Sequence, residues 1–358
     1  MTISIILGTR PEIIKMSPII RACEKRHIDF FILHTGQHYS YEMDKIFFEE
    51  LGLPKARYNL DTGSGLHAEQ TGKIMTRVET ILIEEEPDII LVEGDTNTVL
   101  ASALAATKLG IKVGHVEAGL RSFDRNMPEE INRVLTDHIS DYLFAPTEIA
   151  RQNLQTEGIA EDKIFVTGNT IVDAVYQNIE IAKNKAKVCE KSWFKKGGYF
   201  LITAHRQDNV DFRDRLGGIV KGLELLYNEF LIPIIFPMHP RTLKKMKEFS
   251  LSLKDVIPTD PVSFLDFLLL EGYAKLVLTD SGGVQEETCI LKVPCVTLRD
   301  NTERPETIEV GSNMLVGTRP NNMVNGVNLM VEKERNWKNP FGDGNAGMRV
   351  IEILKKEL

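Results

Sequence analysis

The stretch LVLTDSGGVQEETCILKVPCVTLRDNTERPET, residues 276–307, indicates both the fold of this chain and one of its binding sites. An apolar run at 275–279 has the length and branching of a buried strand, and the turn Ser281-Gly282-Gly283 leads from it into a helix. A strand, a turn of small residues and a helix N-terminus form an anion site, because free backbone N–H groups and the helix dipole face the ligand. An ordinary βαβ turn has the same pattern, so the turn alone leaves both interpretations open.

The charged loop at 299–306 favours the anion site, and specifically a nucleotide diphosphate. The loop follows a second predicted strand and contains Arg299 and Arg304, whose guanidinium groups can each make paired contacts with phosphate oxygens. Glu286 and Glu287 lie in the first turn of the predicted helix, where a carboxylate can accept hydrogen bonds from ribose hydroxyls. We therefore interpret the stretch as the nucleotide site of an α/β domain.

Composition limits the classes of protein that the chain can belong to. Its 358 residues suggest two domains, and a content of 42% hydrophobic and 26% charged residues is typical of a globular protein. The net charge of −8 argues against nucleic acid as a partner. No apolar run reaches membrane-spanning length and no signal peptide is recognisable, so we expect a cytoplasmic protein without a membrane partner. The four cysteines lack metal-site spacing, so we predict free thiols and no bound metal.

Short apolar strands alternate with helical segments along the whole chain, which predicts an α/β fold with parallel sheets. The predicted strands are 3–7, 30–35, 89–93, 113–116, 142–145, 164–167, 199–203, 233–236, 275–279, 293–298 and 314–316. A lysine-rich passage at 181–198 separates two series of strands. We predict two doubly wound domains, residues 1–180 and 181–344, that face each other across a cleft at the carboxyl ends of their strands, and a final helix at 345–358.

Polar side chains gather at the ends of the predicted strands, where parallel sheets bind ligands. In the first half these residues are Arg10, Lys15, Asp95, Glu117 and Glu129. In the second half they are His205, Arg206, His239, Ser281, Glu287 and Arg304. Asp95 and Glu129 could equally be helix caps, whereas Glu117 ends an apolar strand before Ala-Gly and is interpreted as functional. His205 beside Arg206 suggests a phosphate or leaving-group role, and His239, held between prolines, could serve packing alone.

Eight motifs identify the family that the sequence resembles. In chain order they are GTRPEIIKMSP, VEGDTNT, GHVEAGLR, PEEINR, FVTGNTIVDA, LTDSGGVQEE, RDNTERPE and NPFGDG. Together they resemble the non-hydrolysing UDP-N-acetylglucosamine 2-epimerases, and the resemblance runs from Ile5 to the C-terminal helix. It implies a GT-B-like fold of two Rossmann-like domains, with the helix at 345–358 packed back on the first domain.

The resemblance also implies a reaction and its partners. UDP-N-acetylglucosamine and UDP-N-acetylmannosamine would be interconverted by anti elimination of UDP, a 2-acetamidoglucal intermediate and re-addition of UDP. The family needs no cofactor, in agreement with the missing nicotinamide fingerprint, and is typically a homodimer. Three alternatives stay open: a hydrolysing 2-epimerase that releases N-acetylmannosamine and UDP, a GT-B glycosyltransferase, and a sugar-nucleotide sensor without turnover.

Carried over motif by motif, the resemblance implies a role for each site residue. The residues around the sugar and diphosphate would be Arg10, Lys15, Asp95, Glu117, His205 and Arg304. Asp95, Glu117 and Glu129 would be the acid and base candidates, with His205 as a further catalytic residue. Ser281, Gly282 and Gly283 would hold phosphate and Glu287 the ribose, while Phe267 and the backbone of Val262 would meet uracil.

The sequence departs from the family pattern at two places. His205-Arg206-Gln207-Asp208-Asn209 stands where the family usually has His-Arg-Arg-Glu-Asn, and Tyr39-Ser40-Tyr41 replaces the usual residues after Gln37-His38. Bacterial relatives bind a second UDP-sugar as an allosteric activator near these places. The corresponding candidate allosteric residues of this chain are Gln37, His38, Arg206 and His239.

Overall fold

The computed structural model describes residues 1–37 and 41–358 and divides the chain into two compact units. The first unit comprises Met1–Tyr176 together with Phe341–Leu358, and the second comprises Gln177–Pro340. Each unit is built on its own parallel sheet, with helices between successive strands. The predicted α/β class with two Rossmann-like, doubly wound sheets is confirmed.

The first unit has a seven-stranded sheet in the order β3-β2-β1-β4-β5-β6-β7. Its strands are β1 Thr2–Leu7, β2 Asp29–His34, β3 Tyr58–Asn59, β4 Ile89–Glu93, β5 Lys112–Val116, β6 Tyr142–Ala145 and β7 Ile164–Val166. Its helices are α1 Arg10–Arg26, α2 Tyr41–Glu50, α3 His67–Glu85, α4 Asn97–Lys108, α5 Pro128–Ile139, α6 Glu148–Thr156 and the first part of α7 Thr170–Lys185. The strand order reverses between β1 and β4, and the loops at such a switch point are the usual ligand site of a doubly wound sheet.

The second unit has a six-stranded sheet in the order β10-β9-β8-β11-β12-β13, which is the Rossmann order 3-2-1-4-5-6. Its strands are β8 Phe200–Thr203, β9 Ile234–Pro237, β10 Val256–Thr259, β11 Leu276–Thr279, β12 Cys295–Thr297 and β13 Asn313–Leu315. Its helices after α7 are α8 Gln207–Val210, α9 Arg213–Phe230, α10 Pro240–Glu248, α11 Phe264–Tyr273, α12 Gly282–Ile290, α13 Pro305–Glu309 and α14 Pro320–Val331. The switch point here lies between β8 and β11, next to the Ser-Gly-Gly turn.

The cores explain why the strands are continuous apolar runs. Helices cover both faces of a parallel sheet, so neighbouring side chains of one strand are both buried. In the first unit Ile90 and Val92 of β4 pack with alanines of α4, whose small side chains let that helix lie close to the sheet. In the second unit Phe200 and Ile202 of β8 pack with large apolar residues of α9 and α14.

The last helix, α15 Ala346–Glu357, belongs to the first unit and packs against α1. The Asp173 carboxylate accepts hydrogen bonds from the backbone N–H groups of Ala346 and Gly347, at 3.1 and 3.0 Å, and so satisfies the N-terminus of α15. A side chain at Gly347 would place its Cβ 2.9 Å from the backbone of Pro18. The glycine therefore permits the close contact between α15 and α1.

The four cysteines are free thiols, and Cys189 alone among them is exposed. Burial raises the pKa of both Cys23 and Cys295 to about 12 and that of Cys289 to about 11. In the ranges 1–37 and 41–358, no helix combines the length and the apolar character that a membrane crossing requires.

Candidate active site

The first unit buries a lysine between two carboxylates at the carboxyl ends of β4 and β5. Lys15 of α1 donates a hydrogen bond to Glu117, and its Nζ lies 3.4 Å from Oε1 of Glu93, the last residue of β4. Burial raises the pKa of Glu93 well above its ordinary value; Lys15 opposes this rise, while Glu117 and Glu12 add to it. Burial and the neighbouring carboxyl groups thus favour the protonated form of Glu93, while Lys15 is paired with Glu117.

The backbone of Glu117 is held in an unusual conformation. Its φ is +69°, in the left-handed region that residues other than glycine seldom adopt, and such strain concentrates at functional sites. The Asn169 side chain is 3.4 Å from the carboxylate and donates to the same oxygen that Lys15 contacts. The carboxylate predicted to be functional is thus fixed by its own backbone and by donors from two other segments.

Asp95 is ion-paired and is not a helix cap. It follows β4 and contacts Arg133 of α5, whose Nη1 lies 2.5 Å from Glu130. The cap of α4 is Thr96, whose hydroxyl accepts from the backbone N–H of Val99 at 3.4 Å. The capping alternative for Asp95 is therefore wrong, because Arg133 holds its carboxylate instead.

Glu129 lies in the first turn of α5 with an exposed side chain. The N-cap of that helix is Met127, so the capping alternative is wrong for Glu129 as well. Its neighbour Glu130 is buried and accepts hydrogen bonds from the backbone of Ser122 and Phe123, which gives it a structural role. Of the two glutamates in PEE, Glu129 is thus the accessible one.

The turn before α1 is fixed by buried hydrogen bonds. The Glu12 carboxylate accepts from the backbone N–H of Gly8 at 2.5 Å and from the Thr96 hydroxyl at 2.6 Å. Burial raises the pKa of Glu12 to about 7, although these hydrogen bonds oppose the rise. Arg10 is the first residue of α1, and its guanidinium lies over the Phe47 ring, 4.7 Å from the centroid. Arg10 is thus held beside the end of β1, as the sequence predicted.

Gln37 is buried and serves the scaffold of this turn. Its side-chain oxygen accepts from the backbone N–H and the hydroxyl of Thr98, at 2.8 and 2.7 Å. A Cβ at Gly8 would lie 2.1 Å from the same hydroxyl oxygen, so the turn requires glycine there. The other residue of this candidate allosteric pair, His38, lies outside the described residues. An allosteric role for either residue stays a prediction.

The second unit brings five predicted residues together around one cavity of about 240 Å³. These residues are His205, His239, Val262, Phe267 and Ser281. Thr203, Ala204, Pro237, Pro261 and Val284 complete a mostly apolar lining, which suits a flat heterocycle with a few polar contacts. The cavity lies at the carboxyl ends of β8, β9 and β11, as the strand-end rule predicts.

A buried carboxylate orients His205. Asp280 follows β11 and accepts hydrogen bonds from the backbone N–H groups of His205 and Arg206, both at 3.0 Å. The Nδ1 atom of His205 lies 3.3 Å from Asp280, while 45% of the histidine side chain stays exposed. His239 lies close by, with its ring centroid 6.0 Å from that of His205. Burial lowers the pKa of His239, and His205 and Arg241 lower it further, which favours the neutral form of this histidine.

Ser281 is the N-cap of α12, and Gly282 and Gly283 are the first residues of that helix. A Cβ at Gly282 would lie 2.4 Å from Oε1 of Glu303, so the glycine permits close approach of the charged loop. Three features of an anion site therefore meet here: a helix N-terminus, small residues and a loop rich in arginine.

The two arginines of the charged loop are each paired with a buried carboxylate. Arg299 lies 2.8 Å from Glu303, and Nε of Arg304 lies 2.7 Å from Glu286. Burial acts to raise the pKa of Glu303, but Arg304, Arg299 and Arg206 outweigh burial and lower it to about 2. Three guanidinium groups thus stabilise the carboxylate of Glu303, and one of them, that of Arg304, is also paired with Glu286 of α12.

Several residues that complete these clusters were not selected from the sequence. They are Glu93, Arg133, Asp280 and Glu303, and each lies inside one of the eight quoted motifs. The sequence pattern could have identified Glu93 and Asp280 as site residues, because each is an acid at the end of an apolar strand, as Glu117 is. No comparable signal marks Arg133 or Glu303, since their partners come from other segments of the chain.

The chain matches a family model described as UDP-N-acetylglucosamine 2-epimerase over residues 21–355. A Methanocaldococcus jannaschii protein named UDP-N-acetylglucosamine 2-epimerase is 61% identical over 99% of each chain. A crystal structure of M. jannaschii UDP-GlcNAc 2-epimerase in complex with UDP-GlcNAc and UDP has a TM-score of 0.93 at 61% identity and covers 99% of this chain and 100% of its own. The UDP-2,3-diacetamido-2,3-dideoxy-D-glucuronate 2-epimerase of Pseudomonas aeruginosa is 40% identical over 99% of this chain and 100% of its own.

Proposed function

Since the chain belongs to the UDP-N-acetylglucosamine 2-epimerase family, we propose that it interconverts UDP-N-acetylglucosamine and UDP-N-acetylmannosamine without hydrolysis. The observation that carries the proposal is a pair of fixed carboxylates in the first unit. Glu117 is ion-paired with Lys15, and Asp95 is ion-paired with Arg133. Inversion at a carbon that bears hydrogen requires removal of a proton and its return to the opposite face. Carboxylates held by cations beside accessible strand ends can perform both transfers.

We assign the nucleotide to the second unit. The uracil would lie in the 240 Å³ cavity against Phe267 and the backbone of Val262. The diphosphate would meet the N-terminus of α12 at Ser281, where backbone N–H groups and the helix dipole favour an anion. Arg304 would add positive charge, and Glu287, farther along α12, would accept hydrogen bonds from the ribose.

The chemistry follows from the position of the hydrogen that is exchanged. Carbon 2 of the sugar is not adjacent to a carbonyl, so its proton becomes removable only as the bond from carbon 1 to UDP breaks. A carboxylate then takes the carbon 2 proton, UDP leaves with the electron pair of the broken bond, and 2-acetamidoglucal remains. An acid returns a proton to the other face of carbon 2 while UDP adds back to carbon 1, so nothing is consumed.

The described geometry suggests how these roles are divided. Glu117 is the leading base, because Lys15 and Asn169 fix its carboxylate, whereas the raised pKa of Glu93 disfavours the ionised form that a base needs. Asp95 and the accessible Glu129 are the candidates for the second group. Each correctly placed acid or base typically contributes about 10²- to 10⁴-fold to the rate.

The charge that develops on departing UDP needs stabilisation as well. His205 is oriented by Asp280 and lines the cavity, while Arg304 and the start of α12 provide further positive potential. Arg10 is the cation of the first unit that we assign to the same task. Donors that are already oriented stabilise such charge without reorganisation, which is why these contacts can lower the barrier.

Proton NMR in heavy water tests the proposal directly. The protein with UDP-N-acetylglucosamine should yield UDP-N-acetylmannosamine that carries deuterium at carbon 2, and the double variant Asp95→Asn/Glu117→Gln should yield none. Free N-acetylmannosamine and UDP would instead show the hydrolysing reaction. Binding without any turnover would favour a transferase or a sensor. UDP-2,3-diacetamido-2,3-dideoxy-D-glucuronate serves as the competing substrate, and its exclusive turnover would overturn the assignment of the sugar.

A further inference from the structure

Glu271 is a buried carboxyl group that no step of the proposed reaction uses. It lies in the last turn of α11, and its side chain is 0% exposed. Among residues 1–37 and 41–358, no N–H or O–H donor reaches either of its carboxyl oxygens. Helix α11 packs against α12, and the polar group of α12 that acts on the Glu271 carboxyl is a second carboxyl, that of Glu287. A hydrogen bond between two carboxyl groups requires that one of them keeps its proton.

The groups around Glu271 and Glu287 determine which of the two carboxyl groups keeps the proton. Burial raises the pKa of Glu271 well above its ordinary value, and Glu287 raises it further. The other titratable groups that face Glu271 are Cys295 of β12 and Tyr199, just before β8, and neither can supply a positive charge. The Tyr199 hydroxyl donates to the Leu270 carbonyl at 2.7 Å, so its proton is already engaged. The C-terminal end of α11 also disfavours negative charge.

The two helices place this pair beside the nucleotide cavity. Phe267, which lines the cavity, precedes Glu271 by one helical turn on the same face of α11. Glu287 lies five residues beyond Gly282, which is about 7.5 Å along α12 from the proposed diphosphate position. Its side chain retains 8% exposure, whereas that of Glu271 has none. Glu287 can therefore reach a ligand, and Glu271 can act only through Glu287.

We propose that protonated Glu271 donates a hydrogen bond to the Glu287 carboxylate and thereby fixes the orientation in which Glu287 accepts the ribose hydroxyls of a uridine nucleotide. Glu271 is in this sense a positioning residue for nucleotide recognition. The inference rests on the proposed function for the ribose role of Glu287, but it concerns binding alone and does not depend on the fate of the sugar.

Calorimetric titration with UDP and 2′,3′-dideoxy-UDP isolates the ribose contacts. The wild-type protein should bind UDP at least about tenfold more tightly than the dideoxy analogue, because hydrogen bonds to a charged group are lost. Glu271→Leu should reduce this ratio by about threefold or more while the affinity for the dideoxy analogue stays the same. Glu271→Gln should keep the ratio, since its amide N–H can replace the lost O–H donor.

The pH dependence separates a positioning role from a purely structural one. As the pH rises and Glu271 loses its proton, the ratio should fall in the wild type and stay constant in Glu271→Gln. Ionisation of the phosphate and of the base affects both ligands equally and therefore cancels in the ratio.

Four outcomes would contradict the inference or its premise. An unchanged ratio in Glu271→Leu, or an equal loss in Glu271→Gln, would overturn the role of Glu271 while UDP binding and epimerisation stand. If Glu271→Leu does not fold, the pH profiles of the wild type and Glu271→Gln decide alone, and equal profiles overturn the role. A wild-type protein that fails to bind UDP would overturn the proposed function itself.

Discussion

Lys15 of α1 and Glu117, which follows β5, form a buried hydrogen-bonded ion pair although 102 residues separate them in the chain. The pair places a cation beside Glu117, while burial and the neighbouring carboxyl groups raise the pKa of Glu93. A buried carboxylate that lacks a cation would instead take up a proton and could not act as a base.

Glu117→Gln should lower kcat for epimerisation by at least about 10²-fold, because the amide cannot accept the carbon 2 proton. The affinity for UDP should stay within about twofold, since the nucleotide is assigned to the second unit. Steady-state kinetics and calorimetry measure the two effects separately. Glu148→Gln, an exposed acid in α6, is the control and should behave as the wild type. Full turnover in Glu117→Gln would remove it from the mechanism.

Phe267 and His205 line the same cavity of the second unit, and we expect their substitution to change ligand affinity in different ways. Phe267→Ala should weaken the binding of uridine and of UDP alike, by about tenfold, because loss of contact with an aromatic ring typically costs about 1–3 kcal/mol per base. His205→Ala should weaken UDP about tenfold and leave uridine unchanged, since its proposed partner is the diphosphate. Titrations with both ligands distinguish these effects, and a loss of uridine affinity in His205→Ala would contradict the assignment.

Glu303 should make stability depend on pH in the acid range. Its pKa is lowered from 4.5 to about 2, so between these values the unfolded chain binds more protons than the folded protein. The stabilisation is complete above pH 4.5 and is lost as the pH falls to 2, which amounts to about 3 kcal/mol. Urea unfolding between pH 6 and pH 3 should therefore show a steeper loss of stability in the wild type than in Glu303→Gln.

The matched control for Glu303 is Glu309→Gln, an exposed acid at the end of α13. Its unfolding midpoint should follow that of the wild type at every pH. Parallel curves for the wild type and Glu303→Gln would mean that the three arginines do not stabilise the Glu303 carboxylate.

Gly282 and Gly283 should respond oppositely to the same substitution. Gly282→Ala places its Cβ against Glu303 and should destabilise the protein by about 1–3 kcal/mol, the usual effect of overpacking. At Gly283 the nearest atom to a Cβ is Oγ of Ser281 at 3.9 Å, so Gly283→Ala should stabilise α12 by up to about 1 kcal/mol. Urea unfolding of the two variants measures the difference, and equal effects would contradict the close contact at Gly282.

The sequence by itself determined most of the strands. The prediction 89–93 coincides with β4, and 142–145 coincides with β6, because a strand covered on both faces must be an apolar run. The sequence missed β3, which has two residues, and β10, which contains Pro258. Both strands lie at an edge of their sheet, where fewer buried neighbours demand apolar residues and proline is tolerated.

The eight motifs also determined the family, since their residue types match it over nearly the whole chain, and the loops that contain them are the ones that we propose to carry the chemistry. Only the tertiary structure decided the partners and charge states of these residues: Lys15 with Glu117, Arg133 with Asp95, three arginines around Glu303, and Glu271 beside Glu287. The physical reason is that the charge of a buried group depends on its burial and its nearest neighbours. Those neighbours come from segments far apart in the chain, and folding alone brings them together.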